Sequence, residues 1–254
     1  QVAELSNKSP FINEAVSVTY KLYVSPDTGV DNWRELEAPR YANFWSNNID
    51  IKSLNVQNGT YKGEPYRYVV LRRTLLYPQK TGRLKIEPLT LDISVQVPSN
   101  RRDFFGNLIS SSVNKTVSAG SSFIDVKPLP IDNKPNDFSG AVGDFNFEIK
   151  SDKKELLIDE AFQLSLIISG NGNFNLFEDP KISLPSSLEV YEPEKISNVS
   201  VRAGGIRGKV SNKFTIVPNA PGKYTIPQTK FSFFNPQVEE YVTIYSDPIY
   251  IDVE

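Results

Sequence analysis

The sequence predicts an all-β protein built from two β-sandwich domains in tandem. Segments that alternate apolar and polar residues recur along the 254-residue chain. Clusters of turn-forming residues separate them about every 8–12 residues, a spacing typical of sandwiches and barrels. Landmarks in these segments also occur twice in the same order. Helical stripes are scarce, and the 18 prolines argue against long helices.

The predicted strands are rich in β-branched and aromatic residues, the types that favour extended backbone. They cover residues 15–24, 66–77, 82–97, 123–126, 144–150, 162–168, 188–191, 199–202, 209–217, 223–226, 229–234, 241–245 and 249–253. Two other segments predict different structure. Residues 30–38 are the one candidate for a turn or two of helix, although they lack a sustained 3.6-residue stripe, and residues 110–122 are polar and expected to be mobile.

An internal repeat supports two domains rather than one. Each half contains an opening strand, a Pro-x-x-x-Gly element and a closing Ile-Asp-Val segment. The copies are residues 12–25 and 158–170, Pro78 to Gly82 and Pro218 to Gly222, and residues 124–126 and 251–253. We interpret each Pro-x-x-x-Gly element as a hairpin, because proline ends a strand where no ladder donor is needed and glycine supplies the turn dihedral angles.

The repeat sets the predicted domain boundaries. Residues 1–128 form the first β-sandwich domain, with a Phe-rich insertion near 100–120, and residues 137–254 form the second. Residues 129–136 are a proline-rich connector, which we expect to be short and stiff. Gly140 and Gly143 lie at the entrance to the second domain. We interpret both as structural, since their spacing fits neither a dinucleotide-binding nor a phosphate-binding loop.

The composition restricts the possible functions. The chain has 28 basic and 30 acidic residues and a net charge of −2, and the charges are well mixed, so a nucleic-acid partner is not expected. Cys and His are absent, which excludes Ser-His-Asp and Cys-His catalysis and the usual zinc sites. We therefore predict a non-enzymatic protein without a cofactor or metal. No apolar run is long enough to span a bilayer.

An apolar loop interrupts the strand pattern of the first domain. Arg101, Arg102, Phe104, Phe105 and Leu108 lie close together in a segment too apolar for an idle loop. Its phenylalanines either fold back onto the sandwich or present a docking surface. The paired arginines would suit an acidic partner or lipid head groups. We predict that these five residues contact a partner.

A second aromatic group occurs earlier in the first domain, at Trp33, Tyr41, Phe44 and Trp45. These side chains can cover the end of the core, anchor a partner or stack on sugar rings. Trp33, Tyr41 and Trp45 join the predicted partner-binding residues.

Several short motifs carry a resemblance to a known family. They are residues 126–130, 137–145, 169–174 and 231–236, which read Val-Lys-Pro-Leu-Pro, Asp-Phe-Ser-Gly-Ala-Val-Gly-Asp-Phe, Ser-Gly-Asn-Gly-Asn-Phe and Phe-Ser-Phe-Phe-Asn-Pro. In this order and spacing they resemble the BatD-type oxygen-tolerance (aerotolerance) family of bacterial envelope proteins. The loop at residues 102–105 resembles that family's variable Phe-rich insertion.

The resemblance implies tandem immunoglobulin-like modules on the periplasmic face of the bacterial inner membrane. It also implies a membrane anchor outside this sequence. The implied role is a non-enzymatic scaffold in an envelope complex linked to aerotolerance or stress tolerance. The implied partners are envelope proteins, including those with von Willebrand factor A domains.

Two other functions stay open at this stage. The first is a carbohydrate-binding envelope module that uses exposed aromatic residues of the first domain. The second is a carboxylate hydrolase, which would need two acidic side chains converging in a cleft.

Overall fold

The computed structural model describes residues 1–254 as twenty β-strands with no helix, which confirms the all-β prediction. The chain divides into two compact units. The first consists of Gln1–Ile12 and Val16–Lys127, and the second of Asn13–Ala15 and Pro128–Glu254. The chain has no helix long and apolar enough to cross a membrane.

The first unit contains ten strands arranged in three sheets. The strands are β1 (Val2–Leu5), β2 (Val16–Val24), β3 (Gly29–Glu37), β4 (Phe44–Asn48), β5 (Gln57–Tyr61), β6 (Glu64–Pro78), β7 (Gly82–Ile86), β8 (Thr90–Arg102), β9 (Leu108–Ser118) and β10 (Ser122–Val126). One sheet has the order β1-β2-β6-β4, with β5 also paired to β6; the others are β3-β8-β9 and β7-β10.

The second unit also contains ten strands. They are β11 (Gly143–Ser151), β12 (Glu155–Leu156), β13 (Phe162–Gly172), β14 (Leu188–Val190), β15 (Glu194–Arg202), β16 (Gly205–Pro218), β17 (Gly222–Ile226), β18 (Lys230–Asn235), β19 (Glu240–Tyr245) and β20 (Ile249–Val253). The sheet orders are β11-β13-β16-β14, with β15 also paired to β16, then β12-β20-β17 and β18-β19.

The repeat seen in the sequence reappears in the strand pairing. The opening strand pairs with the Pro-ending strand through Val16 and Leu76 in the first unit, and through Phe162 and Ile216 in the second. The closing strands are equally matched, since Val126 pairs with Gly82 and Val253 pairs with Gly222. The units therefore share one topology, to which the first adds β3 and the second adds β12.

The Pro-x-x-x-Gly elements are not hairpins, which corrects the prediction. Strand β6 ends at Pro78 in one sheet, and β7 begins at Gly82 in another, where it pairs with β10. The same change of sheet occurs between Pro218 and Gly222. Proline and glycine make the same bend in either case, so only the pairing partners reveal that the chain crosses between sheets.

Three other local predictions are wrong. Residues 30–38 lie mostly in β3 and pair with β8, because a neighbouring strand overrides a weak helical tendency. Residues 82–97 form two strands, β7 and β8, separated by Glu87–Leu89 around Pro88. Residues 110–122 lie largely in β9, whose Val and Thr residues suit a strand paired along its length with β8.

Apolar side chains from different sheets meet in the core of each unit. In the first unit, Tyr20 and Leu76 from the five-stranded sheet share a buried cluster with Leu91 from β8 and Ile124 from β10. In the second unit the facing strands are β11 and β18. The Phe145 ring lies 5.4 Å from that of Phe233 and 5.9 Å from that of Phe231, centroid to centroid. Edge-to-face rings at such distances add to the stability that burial provides.

The proline-rich connector, residues 129–136, falls within the second unit. The Tyr241 hydroxyl donates a hydrogen bond to the Pro130 carbonyl at 2.6 Å. The Tyr241 ring also packs edge-on against Phe138, with 5.2 Å between centroids. The connector therefore has tertiary contacts that its composition did not predict.

Gly143 and Gly172 pair directly across β11 and β13. A Cβ atom at Gly143 would lie 2.2 Å from the carbonyl oxygen of Asn171, and the φ angle there is +151°. A side chain has no room in this close backbone approach. Two of the motifs that carry the family resemblance, residues 137–145 and 169–174, thus meet on paired strands.

Candidate functional site

The β8–β9 hairpin projects beyond the sheet to which it belongs. It has 13 and 11 residues in its two strands, whereas the equivalent β18–β19 hairpin has 6 and 6. Strand β3 begins at Gly29, opposite Gln96, so the hairpin continues past that point without β3. From Ser112, which pairs with Gln96, to Leu108, which forms the last pair, β9 advances four positions, which corresponds to about 13 Å. We call residues 97–111 the overhang.

A compact turn closes the overhang at residues 103–107. The Asp103 carboxylate accepts hydrogen bonds from the backbone N–H groups of Phe105 at 2.9 Å and Asn107 at 2.8 Å. It also accepts one from the Asn107 side-chain amide at 3.1 Å. Gly106, at a φ of +86°, adopts the left-handed backbone that the turn needs. These bonds fix the turn independently of any partner.

The same hydrogen bonds lower the pKa of the Asp103 carboxyl group. The backbone N–H and the side-chain amide of Asn107, followed by the Phe105 and Gly106 N–H groups, hold the pKa of Asp103 below its ordinary value. Hydrogen bonds to a carboxylate favour its ionised form. Asp103 was not among the residues selected from the sequence, although its place two residues before Phe105 and four before Asn107 is a turn signal.

This turn exposes two phenylalanines, which are 98% accessible at Phe104 and 85% at Phe105. Their rings pack edge to face, 5.7 Å apart at an angle of 90°. Leu108 is 58% exposed beside them. The loop therefore presents its apolar side chains outward and does not fold back onto the sandwich.

Arg101 and Arg102, the two arginines predicted to bind a partner, lie beside this turn. The Arg102 guanidinium donates to the Gly106 carbonyl at 2.7 Å and so braces the turn. Arg101 is exposed, and its backbone N–H donates to Ser99 Oγ at 3.2 Å. Arg101, Arg102, Phe104, Phe105 and Leu108 are thus brought together at the end of the overhang, which we call the tip.

Strand β9 has exposed apolar side chains on one of its two sides. Ile109 and Val113 lie on the side that faces the core nearer the base, yet they are 43% and 39% exposed because no strand covers them. Their neighbours Ser110, Ser112 and Asn114 point to the other side. Ser111 and Lys115 lie on the same side as Ile109 and Val113, so exposed apolar and polar side chains alternate there.

The other predicted site residues lie elsewhere in the first unit and are half-buried. Trp33 and Tyr41 pack against the core together with Phe44. The Tyr41 hydroxyl is 3.2 Å from that of Thr74, a buried residue. The Trp45 ring packs on Tyr77, with 5.6 Å between centroids. These contacts fit the first of the three alternatives, covering of the core, and a partner-binding role for Trp33, Tyr41 and Trp45 stays a prediction.

Trp33 also lines an apolar groove of about 310 Å³ near the base of the hairpin. Its walls include Leu22, Val24, Val56 and Val69. Most of these side chains belong to the core cluster or pack against it. The groove is therefore an open edge of the core, separate from the tip.

Sequence reasoning missed a row of four tyrosines at the edge of the five-stranded sheet. The Tyr23 ring lies 5.4 Å from Tyr61 and 5.3 Å from Tyr68, and Tyr61 lies 5.5 Å from Tyr66. Two lysines also contact the row, since Lys21 lies over Tyr68 and Lys62 over Tyr61. These ring and lysine contacts link neighbouring strands and stabilise their pairing.

Acidic residues of the second unit line a groove of about 420 Å³ that includes Asp137, Glu178 and Asp179. The Asp179 carboxylate accepts a hydrogen bond from Asn212 at 2.7 Å, and that of Asp137 lies 3.5 Å from Lys230 Nζ. The structure has no group of three or more acidic residues placed to hold a metal ion. The carboxylates of Asp137 and Asp179 are thus engaged by side chains of the same unit.

Comparison with known protein families finds a match in the second unit. Residues 149–253 match the model described as the BatD DUF11 like domain. The match covers most of the second unit and less than half of the whole chain. The resemblance predicted from the sequence is thereby confirmed over this range, which runs from β11 to β20.

Other comparisons place the chain less closely. No curated protein matches it significantly. Among solved structures, the chain is similar to the Yersinia pseudotuberculosis adhesin InvE, with 12% identity and a TM-score of 0.22. The similarity covers 98% of this chain and 58% of that one. The chain thus spans little more than half of the adhesin structure.

Proposed function

We propose that this BatD-type chain is a non-enzymatic protein-interaction module of a bacterial envelope complex, and that the tip of the β8–β9 hairpin is its docking surface. The observation that carries the proposal is the exposure of Phe104 and Phe105 on a turn already fixed by hydrogen bonds. Exposed aromatic pairs are costly in water, and aromatic residues, Phe among them, are enriched at protein–protein interfaces relative to the rest of the surface.

A preformed turn favours binding because little order must be created on association. Asp103 and Arg102 restrain the loop from both sides, through bonds to Asn107 and Gly106 respectively. Immobilising flexible side chains and loops costs binding free energy, so a fixed turn retains more of the energy from burying the two rings.

The family match supports a wider role for the module. We propose that it acts at the periplasmic face of the inner membrane, in a complex linked to aerotolerance or stress tolerance. The proposed partner is an envelope protein with a von Willebrand factor A domain. An apolar pocket bordered by acidic residues on that partner would suit the phenylalanines and Arg101.

The test is a binding measurement with a purified von Willebrand factor A domain protein from the same envelope. The Phe104→Ala/Phe105→Ala double variant should bind at least about tenfold more weakly, because hot-spot aromatics contribute about 2 kcal/mol or more. The matched control is Ile131→Ala/Leu157→Ala, which removes two exposed apolar side chains, 90% and 63% accessible, from the second unit.

Equal binding by wild type and the tip variant would contradict the proposal. Anionic phospholipid vesicles serve as a second probe, because a Phe pair beside two arginines could also enter a membrane surface. Phe-dependent binding to vesicles, without binding to the protein probe, would reject protein docking in favour of lipid.

A further inference from the structure

The two edges of the β3-β8-β9 sheet are protected to very different degrees. Strand β3 carries Asp31, Arg34, Glu35 and Glu37, and its pairing with β8 is irregular at two places. Charges and bulges of this kind stop a further strand from adding to an edge. Strand β3 therefore has the usual protection of an exposed edge.

Strand β9, on the opposite edge, has almost none of this protection. Its eleven residues, Leu-Ile-Ser-Ser-Ser-Val-Asn-Lys-Thr-Val-Ser, include one charge, Lys115, and no proline or glycine. It pairs with β8 without interruption from Ser118 to Ser110, and no other strand pairs with it. A long, regular edge with a single charge can still act as a template for strand addition.

We infer that a second copy of this chain pairs its own β9 antiparallel to β9, so that the two three-stranded sheets join into one sheet of six. The sequence of β9 is self-complementary about Val113. With Val113 on the two-fold axis, Ile109 faces Val117 of the other copy, and apolar side chains meet on the core-facing side.

The polar residues match in the same register. Ser112 faces Asn114 and Ser110 faces Thr116 on the other side of the sheet. Lys115 faces Ser111, so the single charge of the strand meets no like charge. The exposure of Val113, 39%, and of Ile109, 43%, is the apolar surface that this pairing would cover.

The dimer leaves the proposed docking surface free. Antiparallel pairing of β9 places the two Phe104–Phe105 tips at opposite ends of the joined sheet, so each copy can still bind a partner. Dimerisation through β9 and docking through the tip are independent, and variants separate them.

Sedimentation velocity over a range of concentrations tests the inference with two opposite charges at one position. Ser111→Glu should tighten the dimer dissociation constant roughly three- to tenfold, since two symmetry-related charge pairs with Lys115 form in each dimer. Ser111→Lys should weaken it by a similar factor. Within one chain Ser111 and Lys115 are about 13 Å apart on the same strand, too far for a direct ion pair.

Two controls keep the interpretation specific. Ser110→Glu adds the same charge on the other side of β9, opposite Thr116, and should not tighten the dimer. Phe104→Ala/Phe105→Ala should leave the dimer unchanged even if it abolishes partner binding. A monomer at every soluble concentration would overturn the inference, and so would equal effects of Glu and Lys at position 111.

Discussion

Asp103 and Asn107 hold each other across the tip of the longest hairpin in the protein. The Asp103 N–H donates to the Asn107 carbonyl at 2.8 Å, and the Asp103 carboxylate accepts from the Asn107 N–H at 2.8 Å. The Asn107 side-chain amide adds a third bond at 3.1 Å. Residues 103–107 are thereby closed into a turn that exposes Phe104 and Phe105.

Asp103→Ala should weaken partner binding without removing any contact atom. The variant loses the carboxylate acceptor, so the two phenylalanines must be ordered on association. We expect binding about three- to tenfold weaker, because the loop must then be ordered on association. Calorimetric titration measures this effect. Asp132→Ala, an exposed acid of the second unit, is the control, and equal losses in both variants would refute the role of the turn.

The order of the turn should depend on pH only in acid. Hydrogen bonds from Asn107 and its neighbours lower the pKa of folded Asp103, so its contribution is fully present above the ordinary aspartate value of about 3.9. It is lost as pH falls through the lowered folded value. The NMR shifts of the Phe105 and Asn107 amides should therefore titrate below the ordinary value. A midpoint at or above it would contradict this picture.

Gly143→Ala should strongly destabilise the second unit. The new Cβ would meet the Asn171 carbonyl oxygen at 2.2 Å, and the backbone there has a φ of +151°. We expect a loss of about 2–4 kcal/mol in the free energy of unfolding. Gly204→Ala is the matched control, since a Cβ there meets no atom within 4 Å. Chemical denaturation compares the two, and a stable Gly143→Ala variant would argue against the close approach.

Asn173→Ala should destabilise the same region through unmade hydrogen bonds. Asn173 is fully buried, accepts from the Val142 N–H at 2.8 Å and donates to the Gly140 carbonyl at 3.0 Å. Removing the amide leaves these backbone groups without that partner, at a cost of about 1–3 kcal/mol. Asn136→Ala, at an exposed position, should be nearly neutral in thermal unfolding. Similar melting of the two variants would exclude this role for Asn173.

The sequence predicted strand positions well because a sheet face imposes a two-residue period that survives in the order of the residues. It could not predict which strands pair. The elements at Pro78 and Pro218 have the composition of hairpin turns, yet each connects two sheets. Likewise, the polar composition of residues 110–122 suggests mobility. Their order comes from pairing with β8, which composition alone does not reveal.

The candidate site was predictable in part for the same reason. The segment around Phe104 was visible as an apolar interruption, but its exposure depends on how far β8 and β9 extend beyond β3. Trp33 and Tyr41 have equally apolar rings and are half-buried because another sheet lies against them. Residue type identified the candidate aromatic residues, and tertiary packing determines which of them are exposed.

The most direct test replaces the overhang with the short turn of the second unit. Residues 98–110 would be exchanged for Pro236–Gln–Val–Glu239, which joins β18 to β19 in the equivalent position. The shared topology predicts that this variant folds with nearly unchanged thermal stability and no longer binds the von Willebrand factor A domain probe. A folded variant that binds as tightly as wild type would show that the tip is not the docking surface.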